Sequence, residues 1–238
     1  MTYPRLVTVD HDPVPPTARP RIDVDVWSDV VCPWCYIGKR RFEAALDRVA
    51  DEFDVRVTYR PFQLDPGADP NQSGPARDAY ERKFGGAERA QQIFDHVSGI
   101  AAESGLDFHL DDAKRANTMR AHRLLWLAQA TGHQGALKER LLQAYFTDGL
   151  DIGDIDTLAG LAGEVGMPTE QVRAFLLSDD GTEEVLAQIR WASEHEITAV
   201  PTYVFSGVWQ VPGAQDAETF EIVLRRVAER LASAEPDA

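Results

Sequence analysis

Strand-like alternation at both ends of the chain, helical periodicity through the middle, and a Cys-X-X-Cys at the first strand-to-helix junction predict an α/β fold. Its order is β-α-β, a large all-helical insertion, then β-β-α. Ile22, Val24 and Val26 alternate with polar residues as a strand, and the run Ile37 to Ala50 repeats apolar residues at helical spacing. Val55 to Tyr59 alternates again and is closed by Pro61, completing the β-α-β unit. From Phe62 to about Pro75 the chain is rich in Pro, Gly, Asp and Asn, a long connection out of that unit.

Between about Ala76 and Glu196 nearly every segment is helical in period, as in Tyr80 with Phe84, Ile93 with Val97 and Ile100, and Leu124 to Leu127. Further helices are predicted over Leu137 to Phe146, Ile155 to Val165, Thr169 to Leu177 and Glu183 to Glu194, separated by glycine-bearing breaks. Thr202 to Phe205 and Val208 to Val211 then read as a hairpin across Ser206-Gly207, and a last helix runs from about Ala217 to Ala232. The expected division is an extension over 1–20, an α/β domain from 21–61 with 197–238, and a helical insertion over 62–196 whose last helix packs on the α/β domain.

Composition narrows the function. The 238 residues carry 24 basic and 39 acidic side chains, a net charge of −15, which repels nucleic-acid phosphates and anionic lipid surfaces. No apolar run approaches the roughly 20 residues that span a bilayer. The first 20 residues include Pro4, Pro13, Pro15, Pro16 and Pro20 and no apolar export segment, so a reducing cytoplasm is the expected compartment. Nucleic acid and membrane are not expected partners, and the oligomeric state is open.

Cys32 and Cys35 are the only two cysteines, separated by Pro33 and Trp34. The spacing suits a dithiol that cycles with a disulfide. With Pro33 at the first helical position, Cys32 lies just before the helix, where the dipole and free backbone N–H groups aimed at its sulfur favour thiolate. Cys32 is therefore the expected nucleophile and Cys35, one turn on and covered by Trp34 and Tyr36, the resolving thiol. An indole at Trp34 adds no charge, so Cys32 is expected to be moderately perturbed, and Asp29 would oppose its ionisation. Asp25 reads either as a buried proton acceptor for Cys35 or as a carboxylate at a solvated strand end; the residues leave both open. Val200-Pro201-Thr202 precedes the late hairpin, and a cis bond there would expose the Val200 backbone to an extended peptide.

The run from Val24 to Gly38, with Cys32-Pro33-Trp34-Cys35 inside it, resembles the DsbA-like thioredoxin-fold oxidoreductases, specifically their FrnE-like branch. Arg60-Pro61-Phe62-Gln63-Leu64, Asn117-Thr118 with Ala121-His122, Val200-Pro201-Thr202 and Gly213-Ala214-Gln215 follow in the family's order. The resemblance covers about Ile22 to the C-terminus. It implies a thioredoxin fold with a helical insertion, a cis Pro201, Val200 pairing with substrate backbone, and Phe62, Asn117 and His122 lining or supporting the cleft between domains.

The implied function is thiol–disulfide exchange on a disulfide-bearing protein or small-molecule thiol, with a recycling reductant or oxidant. No bound cofactor is expected beyond the Cys32–Cys35 disulfide itself, with glutathione a candidate co-substrate. Two alternatives stand beside it. The related 2-hydroxychromene-2-carboxylate isomerases and kappa-class glutathione transferases share the architecture with serine at the position of Cys32, and would activate glutathione there. A metal-binding Cys-X-X-Cys lacks further ligands, since His96 and His109 are the nearest histidines after the motif. His122 alone reads as a packed or capping residue, and Trp126, Trp191 and Phe146 as helical core.

Overall fold

Strand β1 (Arg21–Ser28) lies at the middle of the molecule because both its faces are apolar where they need to be. Ile22, Val24 and Val26 point to one face and are buried, while Trp27 is buried on the other. The computed structural model describes residues 19–234, and most of the expected extension over 1–20 lies outside them. Pro20 belongs to the sheet region, its carbonyl accepting from Asp54 N at 2.9 Å.

Helix α1 (Pro33–Val49) follows β1 and returns the chain to β2 (Asp54–Pro61), which pairs with β1 in parallel from Arg21↔Asp54 to Ser28↔Pro61. The chain comes back to this sheet at β5 (Thr202–Phe205) and β6 (Trp209–Pro212), both antiparallel to their neighbours. The order is β2-β1-β5-β6. The β5–β6 turn is tight: Val208 N donates to Phe205 O at 3.0 Å, with Ser206 at φ 49° and Gly207 at φ 71°. Two successive positive φ values describe a type I′ turn, whose twist matches the strands.

Helix α1 and the last helix, α9 (Ala217–Ala234), cover the face carrying Ile22, Val24 and Val26, through Phe42, Ala45, Val49, Phe220 and Leu224. Phe42, Tyr203 and Phe220 form an aromatic centre with ring centroids 4.6–5.0 Å apart. The opposite face is closed by α8 (Thr182–Glu194), the last helix of the expected insertion: Trp191 stacks on Trp27 at 5.3 Å and 7°.

The remaining chain is α2 (Ala76–Phe84), α3 (Ala87–Glu103), α4 (Met119–Ala130), α5 (Gln134–Phe146), α6 (Ile155–Glu164) and α7 (Thr169–Leu177). Their apolar stripes meet in one core through Phe94, Leu124, Leu137, Leu141, Phe146 and Leu158. That core also takes Val30, Tyr36 and Ile37, so the start of α1 is shared between the sheet and the helices. A two-residue ladder, β3 (Gly74–Pro75) with β4 (Lys114–Arg115), was not legible, since two residues show no period. It ties the 62–75 connection to the segment before α4.

Candidate active site

The site forms where β1 ends and α1 begins. Cys32 takes the N-cap position in an extended conformation (φ −91°, ψ 114°), with Pro33 at the start of α1. Both cysteines are free thiols and buried, whereas Trp34 between them is 37% exposed, so the indole forms the outer surface of the pair.

The expectation that backbone amides bond the Cys32 sulfur is corrected. Cys32 makes no side-chain capping bond; the Cys35 amide donates instead to Cys32 O at 3.0 Å and the Tyr36 amide to the same oxygen at 3.4 Å. The N-cap carbonyl takes these amides, and the buried thiol faces the Val200 loop. Its Sγ lies 3.7 Å from Val200 O, to which it donates. The Val200–Pro201 peptide is cis, and Gly213 N donates to Pro201 O at 2.8 Å. Gly38, in the second turn of α1, permits this loop to approach: a Cβ there would lie 2.8 Å from Tyr203 Oη and 3.2 Å from both Pro201 Cγ and Ala214 Cβ.

Cys35 lies one turn further in. Burial pushes its thiol well above the ordinary range, the hydrogen bond and charge of Cys32 add to the rise, and the Lys138 ammonium and the Asp29 backbone oppose it. Lys138 is itself 1% exposed, with no carboxylate at ion-pair distance among the described residues. Burial lowers its affinity for a proton, and the charges of Cys35, Asp29 and Cys32 counter that. Its ammonium stands 5.7 Å from the Tyr59 ring centroid. Lys138 follows Gln134 by four residues and precedes Leu141 by three, on the face of α5 that ends at Tyr145. A lysine on a core stripe is the signal by which the sequence could have disclosed it.

Asp25 is not the buried carboxylate. Its place in β1 puts it on the face away from the body of α1, where it is half-exposed and paired with Arg60 Nε at 2.7 Å. The buried acid is Asp29, fully enclosed, accepting from Val30 N and Leu64 N at 2.8 Å each. His122 Nε2 lies 3.1 Å from Asp29 Oδ1 and 2.9 Å from Phe62 O. Two acceptors facing one ring nitrogen require that Nε2 carry the proton. His122 therefore pins the 62–64 segment of the connection to the turn that precedes Cys32.

Asn117 has a similar holding role: its Oδ1 accepts from Met119 N at 2.9 Å and from Gln63 at 3.3 Å, and its Nδ2 donates to Ala68 O at 2.7 Å. Phe62 and Val200 are half-buried and pack with Trp27, Ile197 and Val204. The structure thus brings Cys32, Cys35, Val200 and Pro201 together, with Pro33 and Trp34 on the connecting turn. It sets Phe62, Asn117 and His122 behind and beside them as supports.

A model of the DSBA-like thioredoxin domain matches residues 23–225. The chain belongs to that family. A crystal structure described as a "probable DsbA oxidoreductase" from Streptomyces coelicolor is 34% identical, superposes with a TM-score of 0.82, and covers 91% of this chain and 93% of its own. The uncharacterized protein YwbO of Bacillus subtilis is 29% identical over 202 residues, 84% of this chain and 94% of that protein. A 2-hydroxychromene-2-carboxylate isomerase, at 15% identity and a TM-score of 0.63 over 90% of this chain and all of its own, shares the DsbA-like fold. That fold accounts for the interrupted β-α-β and β-β-α halves of the chain.

Proposed function

We propose that the chain is a thiol–disulfide oxidoreductase in which Cys32 attacks and Cys35 resolves. The observation that carries this reading is the difference between the two sulfurs: Cys32 at the N-cap position faces Val200 O, while burial one turn behind it favours the protonated thiol of Cys35. In the reducing direction, the Cys32 thiolate attacks one sulfur of a disulfide R–S–S–R′, forming Cys32–S–S–R and releasing R′S⁻. Cys35, once deprotonated, attacks Cys32 Sγ, forming the Cys32–Cys35 disulfide and releasing RS⁻. Two electrons pass from the dithiol to the substrate, and an external thiol couple restores the dithiol.

The described relative in Streptomyces coelicolor supports the same chemistry, being named an oxidoreductase at 34% identity. The isomerase shares the fold only, and a glutathione-activating site has no use for a second thiol one turn behind the first. Capture of the intermediate tests the assignment. In Cys35→Ser, a disulfide-bearing peptide is expected to accumulate as a mixed disulfide on Cys32, detected by mass spectrometry of the intact protein. Adduct formation that persists in Cys32→Ser, with Cys35 modified, would overturn it.

A further inference from the structure

Against Val31, the residue before Cys32, lies an open cleft of about 130 Å³. Its floor is apolar, made by Val31, Leu64, Ala76, Ala79, Tyr80 and Tyr145. Val31 is the residue before Cys32, and the Tyr80 phenol is pushed up to about 12, chiefly by burial, with the charges of Cys32 and Asp29 adding to it. Val31 brings the floor to within one residue of Cys32, whose own side chain lies outside the lining. The mouth has a different character: Lys83 and Arg115 border it, and it opens into a shallower depression that Arg82 joins. Three cations there face one carboxylate, Asp65, which Arg115 Nη2 contacts at 2.7 Å. In a chain with 39 acidic and 24 basic residues this is a reversal of the prevailing charge.

Helix geometry explains part of this. Arg82 and Lys83 end α2, where the dipole favours cations. It does not explain an apolar cleft opening between those cations one residue from Cys32. A dry cavity of roughly 150 Å³ is known to hold benzene, so a ring or branched alkyl group of similar size fits here, with the cations placed for an anion at its outer edge.

We propose that this cleft binds one half of a small-molecule disulfide whose body is a ring-sized apolar group bearing a carboxylate. The inference rests on the reading of Cys32 as nucleophile. The half seated in the cleft is the one that becomes bonded to Cys32 Sγ, and the other leaves as its thiolate. Cys35 then attacks Cys32 Sγ and releases the seated half, so that two electrons and two thiolates are accounted for. The apolar part of the cleft takes one compact group, and the adjoining depression of about 480 Å³ leaves room outside it for the charged end.

The test uses pre-reduced protein in single-turnover stopped flow against three disulfides: 5,5′-dithiobis(2-nitrobenzoate), aromatic and dianionic; 2,2′-dithiodipyridine, aromatic and neutral; and cystamine, aliphatic and cationic. The expected result is saturation with the dianion at the lowest concentration. In Lys83→Gln with Arg115→Gln, its rate advantage over the neutral disulfide falls about tenfold. Lys83→Gln alone, at an exposed position, is expected to give part of that fall without touching the Asp65 ion pair. Ala79→Leu, which fills the cleft and leaves the rim charges in place, is expected to slow both aromatic disulfides relative to cystamine. An unchanged ratio of dianionic to neutral rates in the charge variants, or equal slowing of all three disulfides by Ala79→Leu, would overturn the proposal. Failure of every disulfide to oxidise the Cys32–Cys35 pair would instead overturn the oxidoreductase reading beneath it.

Discussion

Gly38→Ala sets two opposed effects against each other, and the structure decides between them. In a helix interior, alanine is favoured over glycine by about 0.5–1 kcal/mol, because glycine loses more backbone freedom on folding. At Gly38 the added Cβ would stand 2.8 Å from Tyr203 Oη, 3.2 Å from Pro201 Cγ and 3.2 Å from Ala214 Cβ. Tyr203 cannot swing away: it is 1% exposed, with its ring between Phe42 and Phe220 at centroid distances of 5.0 and 4.6 Å. Overpacking of this kind costs about 1–3 kcal/mol, so the net expectation is a loss of about 1–2 kcal/mol once the helix gain is subtracted.

Two controls separate the contributions. Gly160 sits in α6 with nothing within 4 Å of its would-be Cβ, so Gly160→Ala is expected to show the propensity gain alone. Tyr203→Phe removes the closest clashing atom, a buried hydroxyl with no hydrogen-bond partner among the described residues, and in the Gly38→Ala background it should recover part of the loss. Urea midpoints of the four variants at constant slope provide the measurement. A Gly38→Ala protein as stable as Gly160→Ala, with unaltered reaction at Cys32, would refute the argument that glycine is there to let the Pro201 loop approach.

Other expectations concern the charges behind the thiols. Because Cys35 holds its proton more tightly folded than unfolded, the reduced protein binds the extra proton in the native state; that stability is full below the unfolded thiol value of about 8.5 and is lost as pH rises through the higher folded value. Denaturation of the reduced protein from pH 7 to 10 should show the decline, and its absence would mean that Cys35 is not so held. Lys138→Met removes a cation that favours the Cys35 thiolate, so resolution of a preformed mixed disulfide at neutral pH should slow and its pH profile move upward, while stability stays level or rises as a buried charge is replaced by an apolar chain. Rapid-quench trapping reads the rate, and a pH profile that does not move would rule the lysine out. His122→Leu leaves Asp29 Oδ1 and Phe62 O without their shared donor, an expected cost of about 1–3 kcal/mol by urea unfolding.

Much of the fold was legible because its signals are local. Alternation at Ile22, Val24 and Val26, the helix opened by Pro33, and the Ser206-Gly207 turn each state their own conformation within a few residues. Strand limits moved by at most two residues, as where β1 continues through Trp27 and Ser28 and alternation gives way to burial on both faces. The two-residue ladder at Gly74–Pro75 was beyond any periodicity, being created only when Lys114–Arg115 arrives beside it.

The site was legible along the chain but not across it. Cys32 and Cys35 announce themselves by residue type and spacing and Pro201 by the family resemblance, whereas the choice between Asp25 and Asp29 depends on which side of the sheet α1 covers. Period 2 places Asp25 on the face opposite Val24 and Val26, which is where it lies, but does not say which face α1 covers. Helix α1 packs on the other one, through Phe42, Ala45 and Val49, leaving Asp25 to Arg60. Asp29 escaped notice as a buried acid because its partners, Leu64 N and His122, arrive from 35 and 93 residues away. The same holds for Lys138, which the insertion delivers to the back of Cys35. Burial and Cys32 raise the Cys35 thiol most, and the cation that opposes them comes from α5, so Lys138 variants should alter the chemistry at Cys35 while those at Asp25 and Arg60 leave it alone. Equal shifts in the Cys35 pH profile from Asp25→Asn and Lys138→Met would contradict that division.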